Sequence, residues 1–328
     1  MIQLIINEWK KVFSRKSNVI IMIFIVGLAA LFSFMPLIFS DEQTGDITTN
    51  SDDWQSEVSQ YVAQLEVESE EIASSNDELT FDESLTVSMN QSEIQRLRYH
   101  LVEGIEPPAA NNFYTNLVDA SSLNALIGIF VTIIASAMVS KEFSMGTIKL
   151  LLIRTQSRTK ILTSKYITTI LLAFFYYGLL YLSTAIFSLV STDINPTSEY
   201  VFMTMSGNYD HSSFISYFSG LVASNLFYLV IIATIAFTLS TLTRNTSLSL
   251  GTTLGAIFLG AGITNFLASK TEYAKYLITA NWSMEKYLPG RIVSIEGLSL
   301  PFSVSVNIVY LVIFLGLSYY FFNEKDVL

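Results

Sequence analysis

Six basic side chains fall between Ser140 and Lys165: Lys141, Lys149, Arg154, Arg158, Lys160 and Lys165, with one acid, Glu142. Six cations against one acid make the chemistry open to the group chiefly electrostatic. It can hold anionic headgroups or an acidic protein surface, and it pins this stretch to the cytoplasmic side of a membrane. Between the charges, Ile148, Leu150, Leu151, Leu152 and Ile153 form a run too short to span and too apolar for a free linker, so it is expected to lie at the membrane surface. Gly146 loosens the chain before this run. Thr155, Gln156 and Ser157 break it, and Ser157 or Thr155 is suited to cap a second helix through Ile161 and Leu162. The product is a helical elbow, read either as a lever that a soluble partner pushes or as a basic juxtamembrane loop held by anionic lipid.

The elements that must position this elbow are membrane spans. At 51% hydrophobic and 14% charged, the 328-residue chain is too apolar for an ordinary soluble protein. About 20 apolar residues cross roughly 30 Å of hydrocarbon as a helix. Six such runs are present, at 18–40, 121–140, 166–191, 214–242, 248–268 and 304–322, predicting an all-α polytopic membrane protein. An even number of spans puts both termini on one side. With residues 1–17, the elbow at 141–165, the short turn at 243–247 and the tail at 323–328 inside, the cytoplasmic face holds twelve basic and four acidic residues, a charge of +8. The outer face then holds six basic and 24 acidic residues, a charge of −18, so the net −10 reports an acidic exterior. Lys10, Lys11, Arg15 and Lys16 before the first span agree with the elbow on orientation. Localisation in a bacterial plasma membrane follows, with no nucleic-acid partner expected.

Along the chain, Leu4, Ile5, Trp9, Val12 and Phe13 recur at helical spacing against Glu8, Lys10 and Lys11, predicting an interfacial amphipathic helix within 1–17 that is not cleaved. The insert at 41–120 opens on a polar run. Two apolar stripes follow at helical spacing, Trp54, Val58, Tyr61, Leu65 and Ile72, then Ile94, Leu97 and Leu101, so a helical hairpin is expected. It holds 18 acids against Arg96 and Arg98. It reads as a solvated face, or as a platform for cations and cationic peptides. Residues 192–213 read as a polar outer loop. In the fifth span Gly251 and Gly255 have a spacing that lets helices approach closely, read as packing first and as a dimer seam or translocation path second. Asn225, Asn265 and Asn307 read as interhelical hydrogen-bonding groups. The aromatic-rich segment 269–303 reads as an interfacial loop.

Several chemistries are missing. Without cysteine there are no disulfides or thiolate metal sites, and His100 and His211 lack ligand spacing, so no metal is expected. No phosphate-cradling GxxxxGK[ST] loop occurs, nor GxSxG or HExxH, so no enzyme activity and no cofactor are expected in this chain. None of the six runs contains Asp, Glu, Lys, Arg or His, the groups that ion-coupled transporters use within the membrane. Energy for any transport therefore has to arrive from outside the spans.

The stretch SKEFSMGTIKLLLIRTQSRTKILTSKY resembles the signature loop of bacterial ABC-2 type transporter permeases: a span ending in Lys-Glu-Phe, then Gly-Thr-Ile-Lys, a Leu-Leu pair and a Ser-Arg-x-Lys-Ile segment. RLRYHLVEGIEPP, before the second span, is similar to the corresponding segment of Firmicute members, and the six-span plan agrees coarsely throughout. Where that family commonly places Pro beside the turn, this chain has Thr155 and Gln156. The resemblance implies the membrane subunit of an exporter, with two ABC ATPase subunits that bind ATP and Mg²⁺ and a second permease, identical or homologous. It also implies that Glu142, Phe143, Gly146, Thr147 and Lys149 form or support a coupling helix, that Arg154, Arg158 and Lys160 fix its basic side, and that short re-entrant helices occupy 269–303. Antimicrobial peptides, lipids or other amphiphiles are the expected cargo. The competing reading is a non-transporting sensor or immunity protein that uses the acidic hairpin; an ion-coupled secondary transporter stands third.

Overall fold

The computed structural model describes residues 1–39, 53–75, 79–108, 112–146, 157–192, 198–204 and 206–324. The centre of the elbow lies outside the described residues, and with it the expected surface helix over Ile148 to Ile153 and the expected roles of Thr147, Lys149 and Arg154. In chain order the helices are α1 (Ile2–Phe13), α2 (Lys16–Phe39), α3 (Trp54–Ser75), α4 (Phe81–Glu103), α5 (Phe113–Asp119), α6 (Asn124–Ser144), α7 (Arg158–Ser191), α8 (Phe214–Thr243), α9 (Thr246–Ala268), α10 (Ile278–Asn281) and α11 (Leu300–Glu324). Strands β1 (Glu199–Met203) and β2 (Tyr209–Ser213) separate α7 from α8. The protein is an all-α polytopic membrane protein: six of its helices are long and apolar enough to cross a bilayer.

Two compact units make up the chain, Met1–Ala30 with Ala120–Thr184 and Ser219–Leu328, and Leu31–Asp119 with Ala185–Phe218. In the second unit the two stripes read from the sequence meet as expected. Val58, Val62 and Leu65 of α3 pack on Ile94 and Leu97 of α4, with Trp54, Tyr61 and Leu101 closing the edges. Thr80 and Glu83 form a reciprocal cap at the start of α4, and Gly104 ends it in the left-handed conformation that glycine adopts without penalty. Arg98 crosses to Glu66 at 2.5 Å, while Arg96 pairs with Glu93 on its own helix. The polar loop expected after α7 contains an antiparallel hairpin instead, in the register Glu199↔Ser213 to Met203↔Tyr209. Tyr200, Val201 and Phe202 carry the strand preference, and Gly207, at φ +82°, supplies the turn. Tyr99 of α4 meets His211 of β2 at 2.8 Å.

In the first unit α8 is the most buried of the six long helices and α11 the least. Small polar side chains join α6, α8 and α9. The Ser240 hydroxyl donates to the Ser136 carbonyl at 2.7 Å, Ser249 donates to the Ala236 carbonyl at 2.9 Å, and Ser140 bonds Thr246 at 2.6 Å. Two of the three asparagines behave as read from the sequence: Asn225 accepts from Asn124, and Asn307 donates to the Asn281 carbonyl. Asn265 is exposed. The glycine that packs is also a different one. A Cβ on Gly251 or Gly255 would meet nothing within 4 Å, whereas one on Gly260 would fall 2.7 Å from Thr279 and 3.1 Å from Trp282.

Candidate functional site

Glu142 sits in the last turn of α6 and Lys165 two turns into α7, so the two residues bracket the elbow. Both are almost completely buried, at 1% and 0% side-chain exposure. A buried charge is costly unless paired and hydrogen-bonded, and each of these is paired more than once. The Lys165 ammonium donates to Glu142 Oε1 at 2.7 Å and to Glu8 Oε2 of α1 at 2.9 Å, and Lys11, also on α1, donates to the same Glu142 oxygen. Glu8 and Lys11 are three apart and so share a face of α1, and that face is the one turned to the cluster. Two acids and two lysines thereby tie the N-terminal helix to both helices that enter and leave the elbow.

The apolar side of α1 completes the joint. Trp9 stacks on Phe13 with ring centroids 5.0 Å apart, and both rings meet Phe175 of α7 edge-on at 5.8 and 5.1 Å. One amphipathic helix therefore uses one face for ion pairing and a neighbouring one for aromatic contact, the division its sequence pattern anticipates.

The other expected elbow residues among those described, Phe143, Arg158, Lys160 and Gly146, have four different settings. Phe143 takes the Arg244 guanidinium of the α8–α9 turn over its face at 4.3 Å and lies edge-on to Phe322 of α11. Arg158 donates to the Asn323 carbonyl at 3.0 Å, placing a cation against the last turn of α11, where helix carbonyls favour one. Lys160 is exposed on the first turn of α7, and Ser157 caps that helix by accepting from the Lys160 amide at 3.4 Å. Gly146 stands at φ +67° just past the end of α6 and stops the helix there. Five chain segments thus converge at this end of the first unit: α1, the end of α6, the start of α7, the α8–α9 turn and the end of α11.

Sequence reasoning singles out Glu142 but not its burial against Lys165. It treated Lys165 as a charge of the elbow and kept both residues outside the spans, whereas each lies inside a continuous helix and is packed. Glu8 and Lys11 were read only as the polar face of an interfacial helix. The available signal was their spacing of three.

At the opposite end of α9 the segment between α9 and α11 forms short turns, Glu272–Tyr276, α10 and Glu285–Tyr287, none long enough to span. Trp282 is buried against α8 and meets Tyr228 edge-on at 6.0 Å. Tyr228 lies 14 residues beyond Phe214, about 21 Å along that helix at 1.5 Å per residue. The segment therefore packs Trp282 against α8 well inside that helix rather than only at its end.

The chain belongs to the family described as protein of unknown function (DUF2705), whose model matches residues 80–328. It is 30% identical over its whole length to the uncharacterized protein YhcI of Bacillus subtilis, covering 99% of that protein. It is 25% identical over 217 residues to the uncharacterized membrane protein YdbK of the same organism, covering 66% of this chain and 84% of that one.

Proposed function

We propose that this member of the family is the transmembrane permease subunit of an ABC-2 type ATP-driven exporter, seated in a bacterial plasma membrane with both termini cytoplasmic. The observation that carries the reading is the buried cluster of Glu8, Lys11, Glu142 and Lys165. A partner that displaces the elbow pulls on α6 and α7 together, because the same charges hold both to α1. Residues resembling a coupling loop lie between these two anchored ends, and the chain carries no nucleotide-binding loop of its own. In this reading two ATPase subunits bind ATP and Mg²⁺ and dock below the elbow. A second permease, identical or homologous, covers lipid-side faces such as that of Gly251 and Gly255 on α9, and the cargo is an amphiphile.

Co-purification with an ATPase encoded beside the gene tests the proposal. The complex should hydrolyse ATP, the chain alone should not, and Lys160→Ala, an exposed change that leaves the cluster alone, should lower hydrolysis in the complex. Absence of any ATPase partner overturns it. One observation favours the alternative of a non-transporting sensor or immunity protein, namely that the acidic insert builds its own core. On that reading, deleting the α3–α4 hairpin abolishes the phenotype while elbow substitutions leave it unchanged.

A further inference from the structure

Within the first unit a cavity of about 210 Å³ opens between the last turns of α9 and the segment that returns toward α11. Thr264, Asn265, Thr279 and Lys286 form its polar wall, and Trp282 and Ile295 lie on its apolar wall. Lys286 is the one charged residue in the lining. Its ammonium donates to the Ala280 carbonyl and has two further N–H groups to offer. The nearest carboxylate in sequence, Glu285, is engaged by Arg291 at 2.7 Å. The Thr264 and Thr279 hydroxyls bond each other, which uses one of their two protons and leaves the other to donate outward.

The cavity walls are pinned. Asn281 donates to the carbonyls of Lys275 and Leu277 at 2.7 Å each and accepts from Ser303 at 2.6 Å, and Ser303 in turn bonds the Tyr287 hydroxyl at 2.6 Å. Gly260 lets Thr279 and Trp282 seat directly on α9. Just below, Phe258, Leu259, Ile263 and Phe266 are exposed on α9, an apolar face on a helix long enough to span, and Ile292 is exposed at the mouth. The space is smaller than the roughly 300 Å³ at which sites for whole drug-sized ligands begin, so it admits a headgroup and leaves the tail outside.

We propose that this cavity seats the anionic phosphate headgroup of an amphiphile, with Lys286 as counter-ion, Thr264, Thr279 and Asn265 as donors, and the acyl chains lying along the apolar face of α9. Burial lowers the Lys286 pKa to about 8, the direction expected for an ammonium short of solvent, and a bound anion offsets that cost. The inference goes beyond the transport reading and stands on different residues; its test uses no ATPase, so either idea can fail alone.

The full-length chain in nanodiscs containing phosphatidylcholine and phosphatidylglycerol is released into the gas phase, and the lipids it retains are identified by mass. The wild type should keep phosphatidylglycerol preferentially, Lys286→Gln should bind it about tenfold more weakly, and Lys286→Arg should recover part of the loss. Asn265→Leu, at an exposed rim position, should also lower retention without altering the melting temperature, which covers the case in which Lys286→Gln fails to fold. Lys270→Gln, on the same segment but outside the cavity, should change nothing. Glycerol phosphate and inorganic phosphate are added as competitors. Displacement by either identifies a free phosphate as a sufficient ligand, and resistance to both identifies the intact lipid. Equal retention of the two lipids by the wild type, or undiminished retention by folded Lys286→Gln, overturns the proposal.

Discussion

Glu142 and Lys165 are both buried, so removing Glu142 leaves the Lys165 ammonium in a packed setting with Glu8 as its one remaining carboxylate among the described residues and takes from Lys11 the carboxylate it donates to. Glu142→Leu should cost about 3–5 kcal/mol of stability, read as a lowered melting temperature in detergent. Joining it to Lys165→Met replaces the pair with apolar volume and should restore most of that loss. If the double variant proves less stable than Glu142→Leu alone, the cluster is not held by the pair. His100 destabilises the fold on acidification, the same sense as a paired carboxylate but from a different cause. It is buried on α4 with Nδ1 donating to the Ile105 carbonyl at 2.9 Å, Nε2 has no partner, and burial lowers its pKa to about 4. Arg96 pushes it the same way, and Glu93 opposes. The unfolded chain takes up this proton near pH 6.5 and the folded chain only near 4, so stability is present above about 6.5 and is lost as pH falls between those values. The loss should approach about 3 kcal/mol, and His100→Gln should flatten the dependence measured by hydrogen exchange at α4 amides.

Helix ends decide how the elbow is held. The α3–α4 hairpin and the six long helices were legible in the sequence because burial there repeats at helical or membrane-spanning period. So was the start of α7, where Ser157 caps a helix that begins at Arg158 and runs through Ile161 and Leu162; what hydropathy does not reveal is that Lys165 is buried on the way in, since it places a charged residue in solvent. The β-hairpin was missed because its second strand, Tyr209–Ser213, has no run of apolar or β-branched residues. Pairing between Glu8, Lys11, Glu142 and Lys165 was illegible for another reason, since up to 157 residues separate the partners and no local period records them. At the end of α6 the backbone of Gly146 has a consequence of its own. Gly146→Val forces a branched side chain into the left-handed region at a cost of about 1–2 kcal/mol. It should therefore fray the last turn of α6, detected as faster exchange of the Met145 and Gly146 amides that now bond to Lys141 and Phe143. Unchanged exchange would mean that the turn tolerates a β-branched residue.

At the level of the whole molecule, the proposed orientation puts the charged cluster and elbow inside and the acidic insert outside. The chain has no cysteine, so single substitutions report cleanly. Asp82→Cys, on an exposed turn of α4, should react with an impermeant thiol reagent on intact cells, and Ser157→Cys should react only after the cells are opened. The reverse pattern inverts the topology and removes the elbow from the reach of a cytoplasmic ATPase.

The order in which the chain leaves the ribosome gives the four-charge cluster a meaning beyond its geometry. Glu8, Lys11 and Glu142 are all synthesised before Lys165, so when α7 reaches the bilayer its lysine meets counter-charges already in place. Glu142 precedes that partner by 23 residues, about the length of one span, and α1 with Glu8 and Lys11 is made before both. The last of the four charges to be made is thus the one that joins α1 to α7, so the cluster can close only once α1, α6 and α7 have all been synthesised.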